Sequence, residues 1–221
     1  MFSYVFMKLL EGRPPSYDQR MNKVSGGRVL AIKELVASAV PPGSHILEIG
    51  CGTGELASML IGKGHRVLGF DLSPSMVKAA RQRIAEEGLE GQFHVRRLGV
   101  DAMDQLGKED FDAVVSTLVF SELTSQERTY ALKEAARTLR DGGTLIIADE
   151  IVAGRGAQRL AQVLFRLPTV AATYLVTGST THPIPNLSGE IERAGFNIDK
   201  EELSHGGTFA LVIAHRVRHR K

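Results

Sequence analysis

The sequence predicts an α/β fold, a mainly parallel sheet with helices on both faces, and three observations predict it. Short apolar runs alternate with helical patterns from about residue 45 to residue 150, the signature of strand-helix-strand units. A glycine-rich turn, CGTG, joins the first apolar run to the helix after it. Carboxylates recur at or just past the first three strands, as Glu48, Asp71 and Asp101. Ligands of open parallel sheets bind at these strand ends.

Residues 16–40 read as one helix, with Val29, Ile32, Leu35 and Val36 at helical spacing and Pro41-Pro42-Gly43 ending it. HILEIG is a short apolar run that suits a buried strand. CGTGE leads into the helical pattern ELASMLIGKG, stopped by Gly62 and Gly64. A second strand, RVLGFDL, is followed by SPSMVKAARQRIAEEG, where Ser73 suits the cap, Pro74 the first helical position and Gly88 the terminus. Then come the strand FHVRRL, a loop holding Asp101, the strand FDAVVST, a helix over 126–140, the Asp141-Gly142-Gly143 turn and the strand TLIIAD. After Glu150 the pattern changes. Residues 155–177 look helical and unusually apolar, THPIP is a loop, NLSGEIERAG a short helix, and two strands close the chain before a basic tail, RVRHRK.

At 221 residues the chain is long enough for a single domain to bury a substantial core, and no break in composition divides it. With 43% hydrophobic and 24% charged residues it has an ordinary globular composition, and a net charge of +2 argues for no polyanionic partner, so nucleic acid is not expected. Cys51, the one cysteine, has no partner for an internal disulfide; the cytoplasm is the expected location. The N-terminus MFSYVFMKLLEGRPP carries Lys8 and Glu11 and lacks a signal-peptide layout, and no other stretch reaches the length of a membrane span. The seven histidines show no metal-ligand spacing. Oligomeric state is not legible.

Gly50, Gly52 and Gly54 lack side chains, which lets the loop turn tightly and approach a ligand closely. A carboxylate at Glu48 suits a cationic sulfonium and ammonium and is a poor neighbour for a pyrophosphate. A dinucleotide fingerprint needs a third glycine where Glu55 stands, and that acid opposes pyrophosphate binding at a helix N-terminus, so a nicotinamide-dependent oxidoreductase ranks third. Asp71 can accept hydrogen bonds from both hydroxyls of a ribose, or be only an acid near a helix start. Asp101 can take an adenine amino group while Ala102 and Met103 cover the ring; taken alone it is a loop acid.

Together LEIGCGTGE, the acid in FDLSPSM, VDAM, FDAVVSTLVFSEL and LRDGGTLIIADE resemble the class I S-adenosylmethionine-dependent methyltransferases over roughly residues 17–150. The resemblance implies a Rossmann-like, seven-stranded sheet whose last strand is antiparallel, with S-adenosylmethionine as cofactor. It implies that Gly50, Gly52, Thr53 and Gly54 surround the cofactor's methionine part. Asp71 would hold the ribose, Asp101 and Ala102 would flank adenine, Thr117 would contact the methionyl end, and Cys51, Leu72, Met76 and Met103 are also expected among the cofactor-binding residues. Tyr17-Asp18 resembles a pair that closes over the cofactor in many relatives, which would make residues 1–40 a helical lid; the alternative is a tyrosine with its hydroxyl in water. Residues 41–150 would be the cofactor-binding core, 151–185 an apolar substrate cap and 186–221 the closing helix and strands. Within the family the chain looks most like the small-molecule branch that includes quinone, phospholipid and corrinoid protein-associated methyltransferases. It lacks the Asn/Asp-Pro-Pro-Tyr/Phe signature after the fourth strand, which disfavours methylation of DNA bases or glutamine.

Methyl transfer from a sulfonium is a direct displacement, so the protein contributes by alignment and exclusion of water. Tyr17 and His182 are the candidate catalytic side chains; His182, in STTHPIP, is placed to act as a base, or is a surface or capping histidine. Residues 155–178, with Arg155, Arg159 and Arg166, fit an acceptor pocket, a peripheral membrane contact, a protein contact or simple core packing. A small, apolar or lipid-like acceptor is expected. The alternative is a cofactor-binding protein that docks to a partner such as a corrinoid protein.

Overall fold

The structure, a computed structural model, describes residues 17–107, 111–152 and 182–217. The expected cap over 155–178 with its three arginines lies outside the described residues, as do residues 1–16 of the expected lid and residues 218–221 of the basic tail, whose first residue, Arg216, belongs to the last strand. Helices α1 (Tyr17–Ser25) and α2 (Arg28–Ala39) precede β1 (His45–Ile49), α3 (Glu55–Gly62), β2 (Arg66–Asp71), α4 (Pro74–Glu87) and β3 (Phe93–Arg97). Then follow β4 (Phe111–Thr117), α5 (Ser125–Thr138), β5 (Leu139–Glu150), α6 (Leu187–Arg193), β6 (Phe196–Ser204) and β7 (Phe209–Arg216).

The strands form a seven-stranded sheet in the order β3-β2-β1-β4-β5-β7-β6. Strands β1 to β5 pair in parallel, whereas β7 runs antiparallel to both β5 and β6. The α/β class and the antiparallel last strand are as expected. Strand order reverses between β1 and β4, which leaves a crevice beyond their carboxyl ends.

The side-chain period of two assigns each strand residue to a face. Ile46, Val67, Ala113 and Val115 pack under α2, α3 and α4, while Leu47, Ile49, Leu68, Phe70 and Val114 pack with α5 and α6. Glu48 follows the first set, on the face that α2 covers. Helix α2 buries Val29, Ile32, Val36 and Ala37, and Val40 just past its end, each of the larger ones contributing about 1.5–3 kcal/mol.

Helix α4 begins and ends where its sequence dictates. The Ser73 side chain accepts the Met76 N–H, Pro74 opens the helix, and Gly88 closes it in a left-handed conformation.

Four expectations need correction. The described part of the helix expected over 16–40 is two helices, because Gly26 and Gly27 both take positive φ and turn the chain between them. Leu35 is 53% exposed, since it points more than 90° away from the Val29-Val36 stripe. The segment holding Asp101 is a 3-10 helix, Val100–Leu106, fastened by Arg137, which donates to the Gly107 and Met103 carbonyls. The Asp141-Gly142-Gly143 turn lies within β5, absorbed by a register jump against β4 from Phe111↔Leu139 to Ala113↔Thr144.

Candidate active site

A cavity of about 590 Å³ opens at the carboxyl ends of β1, β2 and β4, within the range usual for small-molecule sites. Its floor is the glycine loop: Gly50, Cys51, Gly52 and Thr53 all line it. Glu48, Asp71 and Thr117 enter from the strand ends, Asp101 from the 3-10 segment, and Leu72 and Met76 from the start of α4. Tyr17 and Met21 of α1, Val29 and Lys33 of α2, and Leu118, Val119, Glu122, Leu123 and Glu127 after β4 complete the wall, with Leu118 packed against Met21 and Val29.

Gly54, Ala102, Met103 and His182, all singled out from sequence, are not brought to the cavity wall. Gly54 caps α3 at φ +78°, and a Cβ there would stand 2.6 Å from Phe93 Cε1, so its small size serves packing against the core. Met103 is fully buried in the α5 side of the core, which leaves it no face to cover a ring. Ala102 closes a turn by donating its N–H to the Gly99 carbonyl. The His182 backbone N–H donates to Ser121 O at 2.8 Å, which docks residue 182 on the segment after β4 and leaves it outside the cavity wall.

The loop is held by polar contacts that sequence reasoning missed. Asp71 accepts the Gly52 N–H at 2.9 Å and the Ser73 N–H at 2.8 Å, which orient its carboxylate between loop and helix. The Thr53 hydroxyl donates to the Asp18 carboxylate at 2.8 Å. Arg83, on α4, reaches Thr53 O at 3.0 Å and Asp18 Oδ2 at 2.6 Å, so one guanidinium fastens α1 to the loop. Lys33 pairs with Glu55 at 2.7 Å and ties α2 to the start of α3. Arg83 had no sequence signal. Lys33 had one: it lies four residues from both Val29 and Ala37, on the buried stripe of α2.

A methyltransferase domain model matches residues 46–143 of this sequence. Methyltransferase GfsG of Streptomyces halstedii is 30% identical over 164 residues, 72% of this chain and 55% of that protein. An uncharacterized methyltransferase of Geobacillus sp. strain WCH70, GWCH70_2477, is 30% identical over 158 residues, 69% of this chain and 70% of its own length. The chain belongs to the S-adenosylmethionine-dependent methyltransferases. A phosphatidylethanolamine N-methyltransferase of Cereibacter sphaeroides is also related, 33% identical over 114 residues, 52% of this chain and 54% of that protein. In fold, this methyltransferase superposes on an O-methyltransferase family protein from Burkholderia thailandensis with a TM-score of 0.72 at 18% identity, over 94% of this chain and 60% of that one.

The family implies S-adenosylmethionine as cofactor, and the donor set of this methyltransferase fits it. Glu48 is 3% exposed and its Oε2 has no hydrogen-bond partner among the described residues. The same holds for Thr117 Oγ1. Buried polar atoms without partners are costly, and these two face a cavity where a cationic, hydrogen-bonding ligand would satisfy them. Burial pushes the Glu48 carboxyl up to about 8; the Lys33 ammonium opposes that rise and the Asp71 carboxylate adds to it. Burial, with Glu48 and Asp71 nearby, also holds the Cys51 thiol well above its ordinary value, so it is no thiolate nucleophile. Glu127 is lowered by the hydrogen bonds it accepts from the Thr124 backbone and hydroxyl. Among the described residues no cluster of histidine, cysteine and acidic side chains could hold a metal ion, and no helix is long and apolar enough to cross a membrane.

Proposed function

We propose that this methyltransferase transfers a methyl group to a small, apolar or lipid-like acceptor by direct in-line displacement. The observation that carries the proposal is one cavity with two chemistries. Glu48 and Asp71 stand beside the glycine loop, whereas Met21, Val29, Leu118, Val119 and Leu123 add an apolar wall edged by Glu122 and Glu127. When bound, the cofactor supplies an electrophilic methyl on a sulfonium and leaves as the neutral thioether.

The remaining work falls to this chain. Asp71, aimed by the Gly52 and Ser73 amides, would hold the ribose hydroxyls, and Asp101 the adenine amino group. Glu48 would meet the methionyl ammonium. Thr117, at the end of β4, would use its unpartnered hydroxyl at the same end. Tyr17 and the apolar wall would exclude water and press the acceptor toward the methyl, the positioning that dominates catalysis of a displacement. The relative that acts on phosphatidylethanolamine supports an acceptor with an apolar body.

Calorimetric titration with S-adenosylmethionine, comparing wild type with Asp71→Ala, tests the cofactor half. Binding that is lost in the variant is expected. Methyl transfer from labelled cofactor to phosphatidylethanolamine vesicles and to apolar phenols tests the acceptor half, and transfer only to hydrophilic acceptors would overturn it.

A further inference from the structure

The methionyl end of the proposed cofactor is a zwitterion, an ammonium and a carboxylate on one carbon, so a site that recognises it needs charges of both signs. The cavity wall carries five carboxylates, Glu48, Asp71, Asp101, Glu122 and Glu127, and among the described residues lining it Lys33 is the one cation. Lys33 projects from the buried stripe of α2, between Val29 and Ala37, and its side chain is only 15% exposed. A charge in such a place is costly unless partnered. Glu55 supplies one partner at 2.7 Å, which occupies one of the three N–H donors of the ammonium.

Glu48 lies on the face of the sheet that α2 covers, both it and Lys33 line the cavity, and the Lys33 charge favours its ionised form. It is only 3% exposed, and its Oε2 has no partner among the described residues. An unsatisfied acid and a cation with donors to spare therefore flank one end of the cavity, beside the glycine loop. Other charges reach Lys33 from its neighbours: Asp18 on α1 and Glu55 on α3.

We propose that Lys33 anchors the α-carboxylate of the cofactor's methionyl group, opposite Glu48, and so sets which cofactor-like molecules this site accepts. The proposal rests on the cofactor reading above. In it, Glu55 is a positioning residue that holds the Lys33 side chain over the cavity, and the pair ties recognition of the carboxylate to the docking of α2.

The test uses the full chain and three ligands in calorimetry: S-adenosylmethionine, its decarboxylated analogue, and 5′-methylthioadenosine. Wild type should prefer S-adenosylmethionine over the decarboxylated form. Lys33→Gln should erase that preference, weakening S-adenosylmethionine binding roughly ten- to hundredfold, the worth of one charged hydrogen bond, while leaving the other two ligands within about twofold. Lys33→Arg, which keeps the charge on the same helix face, should retain the preference. Equal weakening of all three ligands by Lys33→Gln would show that Lys33 only staples α2 to α3 and would overturn the proposal. So would a wild type indifferent to the carboxylate. Failure of wild type to bind S-adenosylmethionine at all would instead remove the cofactor reading, and this inference with it.

Discussion

Gly52 and Gly54 stand two residues apart in one loop, and the same substitution should fail in two different ways. Both take positive φ, +53° and +78°, where an L side chain costs about 1–2 kcal/mol. At Gly54 a Cβ would also stand 2.6 Å from Phe93 Cε1 and 3.2 Å from its Cζ. Phe93 is 1% exposed within the core and has nowhere to retreat, so overpacking adds about 1–3 kcal/mol. Gly54→Ala should therefore destabilise by about 2–5 kcal/mol, a large part of the stability of an ordinary domain. At Gly52 a Cβ meets nothing within 4 Å, so Gly52→Ala should cost only the backbone term, about 1–2 kcal/mol. Gly52 lines the cavity, however, and its new methyl would occupy space meant for ligand. Urea unfolding followed by circular dichroism measures the first effect, and calorimetric titration of S-adenosylmethionine the second. Gly54→Ala should lower the unfolding midpoint more, and Gly52→Ala should lose affinity while remaining folded. If Gly52→Ala is the less stable of the two, or binds cofactor as wild type does, the division of the loop into packing and binding glycines is wrong.

Glu48 should give the ligand-free protein a measurable pH dependence. Its folded value of about 8 lies above its ordinary 4.5, so between these values the unfolded chain releases a proton that the folded one keeps, and stability falls as pH rises through that window. The slope for wild type should exceed that for Glu48→Gln by about 1.4 kcal/mol per pH unit, as unfolding free energies at pH 5, 6.5 and 8 would reveal; parallel profiles would refute it. Arg128, 7% exposed in its side chain, donates to both Glu190 oxygens at 2.7 and 2.9 Å and to Leu123 O at 2.8 Å. Arg128→Met leaves that carboxylate without its partner and should cost about 3–5 kcal/mol in thermal or urea unfolding. Arg83→Gln removes the grip of α4 on Asp18 and Thr53, so amide exchange in α1 should speed up relative to the strands, with at most a small change in global stability.

Local chemistry is read well from a single chain. Helix α4 was legible to the residue, because Ser73, Pro74 and Gly88 act through backbone geometry that depends on near neighbours alone. The buried strands were legible because an apolar run bounded by glycine has few other places to go. The Gly26-Gly27 break was missed for the opposite reason: two glycines are tolerated within a helical pattern, and only the positive φ that both adopt in the folded chain makes them a turn. The register jump inside β5 likewise belongs to its pairing with β4.

The candidate site divides along the same line. Glu48 and Asp71 lie at the ends of parallel strands and Asp101 in the 3-10 segment just past the third, and the sheet's topology carries all three to one cavity. Met103 follows Asp101 in sequence but turns into the core, and Gly54 belongs to the loop but serves Phe93; neither orientation has a local cause. Lys33, Asp18 and Arg83 meet the loop from helices 20 to 35 residues away in sequence, and no spacing rule connects them. What the sequence alone determined was the order of elements, the glycine turn and the placing of acids at strand ends, since each follows from backbone conformation and side-chain periodicity. What only the tertiary structure decided was which charges face one another across the cavity and which of them are buried, because burial and Coulombic contact depend on distances between segments that meet only when the sheet and its helices have closed.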